Sequence, residues 1–311
     1  MTFIDLFDNM RFWGDKRNIF LSKIYFYPIC NRIIDTLANI ILPLYFRITG
    51  KNTKYSLTTK KTDKSPKEKI IVSLTSFHVR IPKLWIVVES ILRQSVKPDR
   101  IILHLQVKDI KELPKRLLEM QKRGVEIEIC DTSLRSHNKY WHVFKKYPND
   151  CIITIDDDII YRSDFIVNLL NFHKEHPNTI ITNWSKEIKQ ETPVYKNWPE
   201  ATPFKKAKAL LPIGVAGVLY PSGCMYKDVL DKRLIKELCL TADDIWLTCM
   251  ALLNGTQKIQ TDYKQHHLPV QIRGNMTLLS INKERNQVCV DNLNNYYHKK
   301  MGIKPFVDIL E

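Results

Sequence analysis

"CIITIDDDIIYRSDF" (residues 151–165) sets an apolar run of strand length against three consecutive carboxylates. A short run of β-branched residues bounded by polar ones reads as a buried strand. Asp156, Asp157 and Asp158 then fall at its carboxyl end, where like charges repel unless a cation lies among them. In an extended segment alternate side chains share a face, so Asp156 and Asp158 are expected to converge while Asp157 points away. Mg²⁺ is commonly held by one or two carboxylates and completed by phosphate oxygens, and Mn²⁺ also favours oxygen. The stretch therefore predicts a metal–diphosphate site at a strand end.

Outward from this point, strands and helices alternate. "KIIVSLTSF" (69–77) is strand-like, "KLWIVVESILRQ" (83–94) carries a helical apolar stripe, and "DRIILHLQ" (99–106) is strand-like again. "LPKRLLEMQKRG" (113–124) predicts a helix closed by Gly124, "VEIEICD" (125–131) a strand and "NKYWHVFKKYP" (138–148) a helix. Strand, helix, strand at this spacing means βαβ units: an α/β, Rossmann-like, mainly parallel sheet flanked by helices. Ligands of such sheets bind beyond the carboxyl ends of strands where the strand order reverses, and Asp131 also occupies such an end. Three regions follow: an N-terminal helical extension and basic linker (1–68), the α/β catalytic domain (69–270) and a C-terminal segment packing on it (271–311).

With 311 residues and 44% hydrophobic content, the chain can bury a full core and is neither disordered nor fibrous. Its 7 scattered cysteines form no CxxC pair, which argues against a disulfide framework or zinc knuckle and for a reducing, cytoplasmic setting. The formal charge of +15 is uneven, residues 1–69 holding 13 Lys/Arg against 6 Asp/Glu. Such a bias suits nucleic acid, anionic lipid or a phosphorylated substrate, or simply a solvated basic surface. Nucleic acid is set aside as a partner because no recognition helix or zinc module accompanies the charge.

"NIFLSKIYFYPICNRIIDTLANIILPLYFRITG" (18–50) is apolar and aromatic, yet Lys23, Arg32 and Asp35 interrupt it. Its longest uncharged stretch, Thr36 to Phe46 with Pro43 inside, falls short of the roughly 20 residues a membrane span needs. The expectation is a pair of interfacial helices beside the basic stretch 51–69, suited to an anionic membrane surface, or else an extension packed on the main domain. The first alternative places the protein peripherally at the inner face of the cell membrane.

A strand ending in Asp-Asp-Asp, after a βαβ half that starts "IVSLTSF", resembles the nucleotide-sugar-dependent glycosyltransferases of the GT-A fold. It is particularly similar to bacterial family 2-like transferases of surface polysaccharide synthesis. "LCLTADDIWLTCMALLNGT" (238–256), an acidic pair heading a helix-like run, adds to the resemblance, which spans roughly residues 69 to 260. It implies an inverting transfer in which Asp244 takes the proton of the acceptor hydroxyl, with Asp243 as its neighbour. A carboxylate near a helix N-terminus is stabilised as an anion, and part burial by Trp246 would bring its pKa toward working pH. The plain alternative is charge complementarity at a helix start, with Thr241 as N-cap.

The resemblance further implies Mn²⁺ or Mg²⁺ on Asp158 and Asp156, joined by a late histidine, His267 or His266. Donor contacts fall at Thr75, Ser76, Arg80, Asp131, Arg135, Lys139 and Asp157. The sugar and acceptor pocket is floored by Gly214, Gly217 and Gly223, and Trp184, Tyr195 and Trp198 either stack on sugar rings or pack in the core. A UDP-sugar is the expected donor, carrying hexose, N-acetylhexosamine or galactofuranose, and the acceptor is a glycan or lipid-linked glycan of capsule or lipopolysaccharide. A metal-dependent phospho- or nucleotidyltransferase would want the same carboxylates and stays open.

Overall fold

"IIVSLT" forms the central strand β1 (Ile70–Thr75), whose four middle residues are buried. On one flank β1 pairs in parallel with β2 (Arg100–Gln106), and β2 in parallel with β3 (Val125–Cys130). On its other flank it pairs in parallel with β4 (Cys151–Thr154). The chain thus runs outward from β1 to β3 and returns to the far side of β1. The strand order reverses between β1 and β4, the place where open sheets leave a crevice. Past β4 the sheet continues through antiparallel β10 (Val218–Tyr220) to β6 (Ile180–Thr182), parallel β11 (Lys258–Gln260) and antiparallel β8 (Lys206–Ala207). Two small pairings complete it: β5 (Ile159–Ile160) with β12 (Leu268–Pro269), and β7 (Ser185–Glu187) with β9 (Leu210–Pro212).

This computed structural model describes residues 1–12, 25–57, 68–110, 113–130, 132–191, 194–271 and 279–311. Helices lie on both sides of the sheet, as the buried runs on both strand faces require. One core joins α1 (Phe3–Met10), α2 (Phe26–Thr49), α3 (Ile81–Leu92) and α6 (Phe165–Glu175) to β1 and β4. α4 (Lys115–Gln121) adds Leu117 and Met120 to the same core. A second gathers α5 (Asn138–Lys146), α7 (Lys232–Leu238), α8 (Asp243–Leu253), α9 (Leu279–Met301) and α10 (Pro305–Asp308). Val290, Leu293 and Tyr297 of α9 and Phe306 of α10 are buried there with Trp246.

α2 departs from the expectation. Its 24 residues run unbroken through Arg32, Asp35 and Pro43, and by length and composition the helix could cross a membrane. Of the charges that interrupt the stretch, Asp35 is answered by a tertiary contact, Arg11 Nε lying 2.7 Å from it. Ile34, Ala38, Leu42 and Phe46, four residues apart, are buried in the first core. Ile29, Ile33, Leu37, Ile40, Leu44 and Ile48 are exposed. Asn39 Nδ2 donates to the Pro269 carbonyl and its Oδ1 accepts from the Gln271 amide, both at 2.8 Å, so α2 is strapped to the β12 segment.

Candidate active site

The three aspartates do not follow simple strand alternation. β4 ends at Thr154, and Asp157 and Asp158 lie in a turn. Asp156 is fixed at the strand end by the Tyr161 hydroxyl, which accepts from its amide at 2.9 Å and donates to the Val215 carbonyl at 3.1 Å. Asp157 turns inward: Ser76 Oγ donates to it at 2.5 Å and the Arg80 guanidinium also binds it. Arg80 Nη2 also reaches Asp158, at 2.9 Å. With both oxygens engaged, Asp157 serves to hold Arg80, while Asp156 and Asp158 each keep about a third of their side chain exposed (32% and 31%).

The acidic pair comes to the same place from the opposite half of the chain. Its helix α8 is capped at Ala242, with no side-chain cap bond, so Thr241 is not the N-cap. Lys139, at the head of α5, places Nζ 2.9 Å from Asp156 and 2.7 Å from Asp243. One ammonium thereby joins the strand-end triplet to the helix-head pair. The Gly214 amide donates to Asp244 Oδ2 at 3.1 Å. A Cβ at Gly214 would lie 2.8 Å from Asp244 Oδ1 and 2.9 Å from Lys139 Nζ, which explains glycine there.

The environments push neighbouring carboxyls apart. Burial works against ionised Asp243, but the Lys139 and then the His137 charge hold it below its ordinary value. Asp244 is pushed up to about 7 by burial and by the Asp243 charge. Asp158 is pushed up to about 6, by burial and by Asp156. Burial opposes the charge on Lys139, yet Asp156 and Asp243 raise it well above the usual lysine range. Two adjacent titratable groups driven in opposite directions are what an acid–base site requires.

Asp156, Asp243, Asp244 and Lys139 line a cavity of about 540 Å³ beyond the carboxyl ends of β1 and β4, whereas Asp158 stands outside its lining. Thr75, Ser76 and Arg80 from the β1 end, Arg135 and Lys139, Asp156 and Asp157, Asp243 and Asp244 all face it, and so does Tyr195. The structure also adds Phe77, Gln106, Ser136, Arg285 and Asn286. Arg285 and Asn286 stand near the start of α9, in a segment whose sequence carries no motif to mark them. Arg135, at φ 49° and ψ −126°, adopts a conformation non-glycine residues seldom hold. Neither Arg135 nor Arg285 has an ion-pair partner among the described residues.

Other candidates are not brought to the cavity. Trp246 is fully buried, its Nε1 donating to the Val229 carbonyl at 3.1 Å, so it is a core residue and does not shield Asp244. Trp198 packs against Phe306. Trp184 lies against His267, with ring centroids 5.4 Å apart, outside the cavity lining. Gly217 (φ +80°) makes room for the Phe165 ring and not for a ligand. Gly223 (φ +68°) sits in a turn with open space around it, beside Phe144 and Met225. His266 is taken by the Asp8 carbonyl at 2.7 Å. His267 directly precedes β12, which pairs with the strand after the triplet; burial and then the Arg11 charge lower its ring to about 4. Asp131 lies outside the described residues.

Asp156 and Asp158 are the partly exposed carboxylates here that could hold a cation, Asp156 beside a cavity whose other walls carry Arg80, Arg135, Lys139 and Arg285. Hard oxygen ligands of this number fit Mg²⁺ or Mn²⁺ completed by a substrate's phosphates.

No family model matches this chain, and no curated protein matches it in sequence. Many solved structures align with it, two of them as follows. A mannosyltransferase from Pyrobaculum calidifontis in complex with GDP-mannose and Mn²⁺ does so with a TM-score of 0.43 and 12% identity, over 86% of this chain and 74% of that one. A 4-diphosphocytidyl-2C-methyl-D-erythritol synthase from Anaerococcus prevotii does so with a TM-score of 0.44 and 14% identity, over 70% of this chain and 99% of that one. What the site can do chemically follows from its own side chains.

Proposed function

We propose that this chain is a divalent-metal-dependent, inverting glycosyltransferase that moves a sugar from a nucleotide donor, with UDP as carrier, to a hydroxyl of a bacterial surface glycan. The observation that supports it best is Asp244, a carboxyl at the head of α8 tuned to about 7 and directed to the same cavity as Asp156. A general base works best when its pKa lies near the operating pH. Asp244 takes the acceptor's hydroxyl proton as that oxygen attacks the anomeric carbon. The Gly214 amide fixes one oxygen of the carboxylate.

Asp156 and Asp158 would hold Mn²⁺ or Mg²⁺, whose chemistry is to neutralise the leaving nucleoside diphosphate. Arg80, braced by Asp157 and Ser76, and Arg135 bind phosphate oxygens as guanidinium donors. Asp243 positions Lys139. At the other end of the cavity Tyr195, Arg285 and Asn286 meet the acceptor. The exposed apolar stripe of α2, with Arg32, Arg47, Lys51 and Lys54 exposed along and after it, docks the protein on an anionic membrane from the cytoplasmic side. A lipid-linked glycan acceptor is then within reach.

The test is to incubate the purified chain with Mn²⁺ and UDP-, GDP-, CMP- and dTDP-sugars and follow nucleotide release with and without EDTA. Slow hydrolysis of one donor, lost with EDTA and in Asp158→Ala, is expected. Release of pyrophosphate in place of a nucleoside diphosphate would move the chain to the phospho- or nucleotidyltransferases.

A further inference from the structure

At the amino ends of the central strands, opposite the cavity, three side chains of unlike chemistry meet. Glu68 precedes β1, Cys151 opens β4 beside it, and His173 lies in the last turn of α6. The pairing of Ile70 with Cys151, and the Cys151 amide donating to the Lys69 carbonyl at 2.9 Å, bring the first two together. One ligand atom from each of Glu68, Cys151 and His173 lies within 4.8 Å of the other two. Glu68 Oε2 and His173 Nε2 are 3.2 Å apart. That separation suits an ion pair, and it equally suits one edge of a metal tetrahedron, since two bonds of about 2.0–2.1 Å at the tetrahedral angle put their donor atoms about 3.3 Å apart.

The group is graded in exposure. Cys151 is wholly buried, while the Glu68 side chain keeps 33% exposure, so the carboxylate closes the group on its solvent side. His173 Nδ1 is buried with no hydrogen-bond partner among the described residues. That nitrogen points away from the carboxylate that Nε2 meets, so it calls for a water of its own and does not mark the ion's position.

We propose that Glu68, Cys151 and His173 form a second divalent-cation site, of thiolate–imidazole–carboxylate type, that takes Zn²⁺. Sulfur and nitrogen donors select a borderline-soft ion, in contrast to the all-oxygen set at Asp156 and Asp158. Three protein ligands leave the fourth position to water. As the sulfur–zinc bond forms, the thiol proton goes to solvent. The ion would tie together the entry of β1, the start of β4 and the end of α6. About five residues of extended chain, roughly 16 Å, separate Cys151 from Asp156, so this site holds the strands and does not touch substrate. The proposal stands whether or not the cavity transfers sugars.

Cobalt(II) tests it, because a cysteine thiolate bound to cobalt gives a near-ultraviolet charge-transfer band that carboxylates alone cannot give. The full chain, stripped with chelator, is titrated with Co²⁺ alone. Expected are the band at one equivalent, its displacement by Zn²⁺, its loss in Cys151→Ser, at least tenfold weaker binding in His173→Gln, and no change in Asp158→Ala. Zn²⁺ should also raise the melting temperature of wild type and not of His173→Gln, which keeps the test valid if Cys151→Ser does not fold. Absence of the band from wild type, or its survival in Cys151→Ser, overturns the proposal.

Discussion

Lys139 holds together two acidic groups that the chain brings from β4 and from the head of α8. Its ammonium lowers the pKa of Asp244 as well as that of Asp243. Replacing Lys139 by Gln should therefore raise the Asp244 pKa above about 7. Activity that depends on the Asp244 carboxylate rises with pH through that pKa, so the ascending limb of the rate profile should move alkaline, by about one unit or more. An unshifted limb would separate Lys139 from the base. Asp244→Asn should lower transfer by about 100- to 10,000-fold while nucleotide binding, followed by calorimetry, stays near wild type. Equal rates for the two proteins would end the base assignment. At this scale the sequence marked the triplet because like charges crowd a strand end, while the helix-head pair stayed ambiguous because carboxylates are ordinary in a first turn. Their bridging by one lysine was not legible, since residues 139, 156 and 243 meet only in the folded chain. Trp246 misled for a physical reason: two residues beyond Asp244 on a helix, its side chain lies on a different face, which here is the core.

Elements whose pattern is local were readable, and those defined by partners were not. The strands β1 to β3 follow their apolar periodicity because each pairs with the next strand in sequence, whereas β4 was readable by its apolar run although it pairs back with β1. α2 was cut short in the sequence reading because Asp35 looked like a free charge, whereas Arg11 neutralises it from a distant turn of chain. α9 carried no readable role, yet its start supplies Arg285 and Asn286 to the cavity and its later turns fill the second core. Gly214, Gly217 and Gly223, expected together to floor a pocket, serve different ends. Gly217 has φ +80°, and a Cβ there would fall 2.3 Å from the Phe165 ring. Gly217→Ala should thus destabilise the fold by about 1–3 kcal/mol, seen as a lower melting temperature, even though the residue is no site residue. An unchanged melting temperature would mean that Phe165 can swing aside at no cost.

The molecule as a whole is two-sided in a way that bears on where it works. One face of α2 is fastened to the domain by Ile34, Ala38, Leu42 and Phe46, and the opposite face leaves a row of large apolar side chains uncovered. α1 extends that surface with exposed Phe3, Leu6 and Met10. Basic residues accompany it, Arg32 and Arg47 on the helix and Lys51 and Lys54 just after. A helix packed on its own domain along one side cannot surround itself with lipid, so the docking proposed above has α2 lying in the interface and not spanning, despite its sufficient length. Burying an apolar side chain such as Ile gains about 1.5–3 kcal/mol, and each nearby cation adds about 1 kcal/mol on an anionic surface. Ile33→Glu with Ile40→Glu should therefore weaken binding to phosphatidylserine-containing vesicles by more than about 100-fold while leaving the melting temperature unchanged, since both residues are exposed. Arg32→Gln with Arg47→Gln should leave binding to neutral vesicles as it was and weaken binding to anionic ones by about 10-fold or more, an effect that added salt erases. Sedimentation with vesicles measures both. If wild type stays in the supernatant with anionic vesicles at low salt, the apolar stripe does not meet lipid, and the acceptor must reach the cavity from solution.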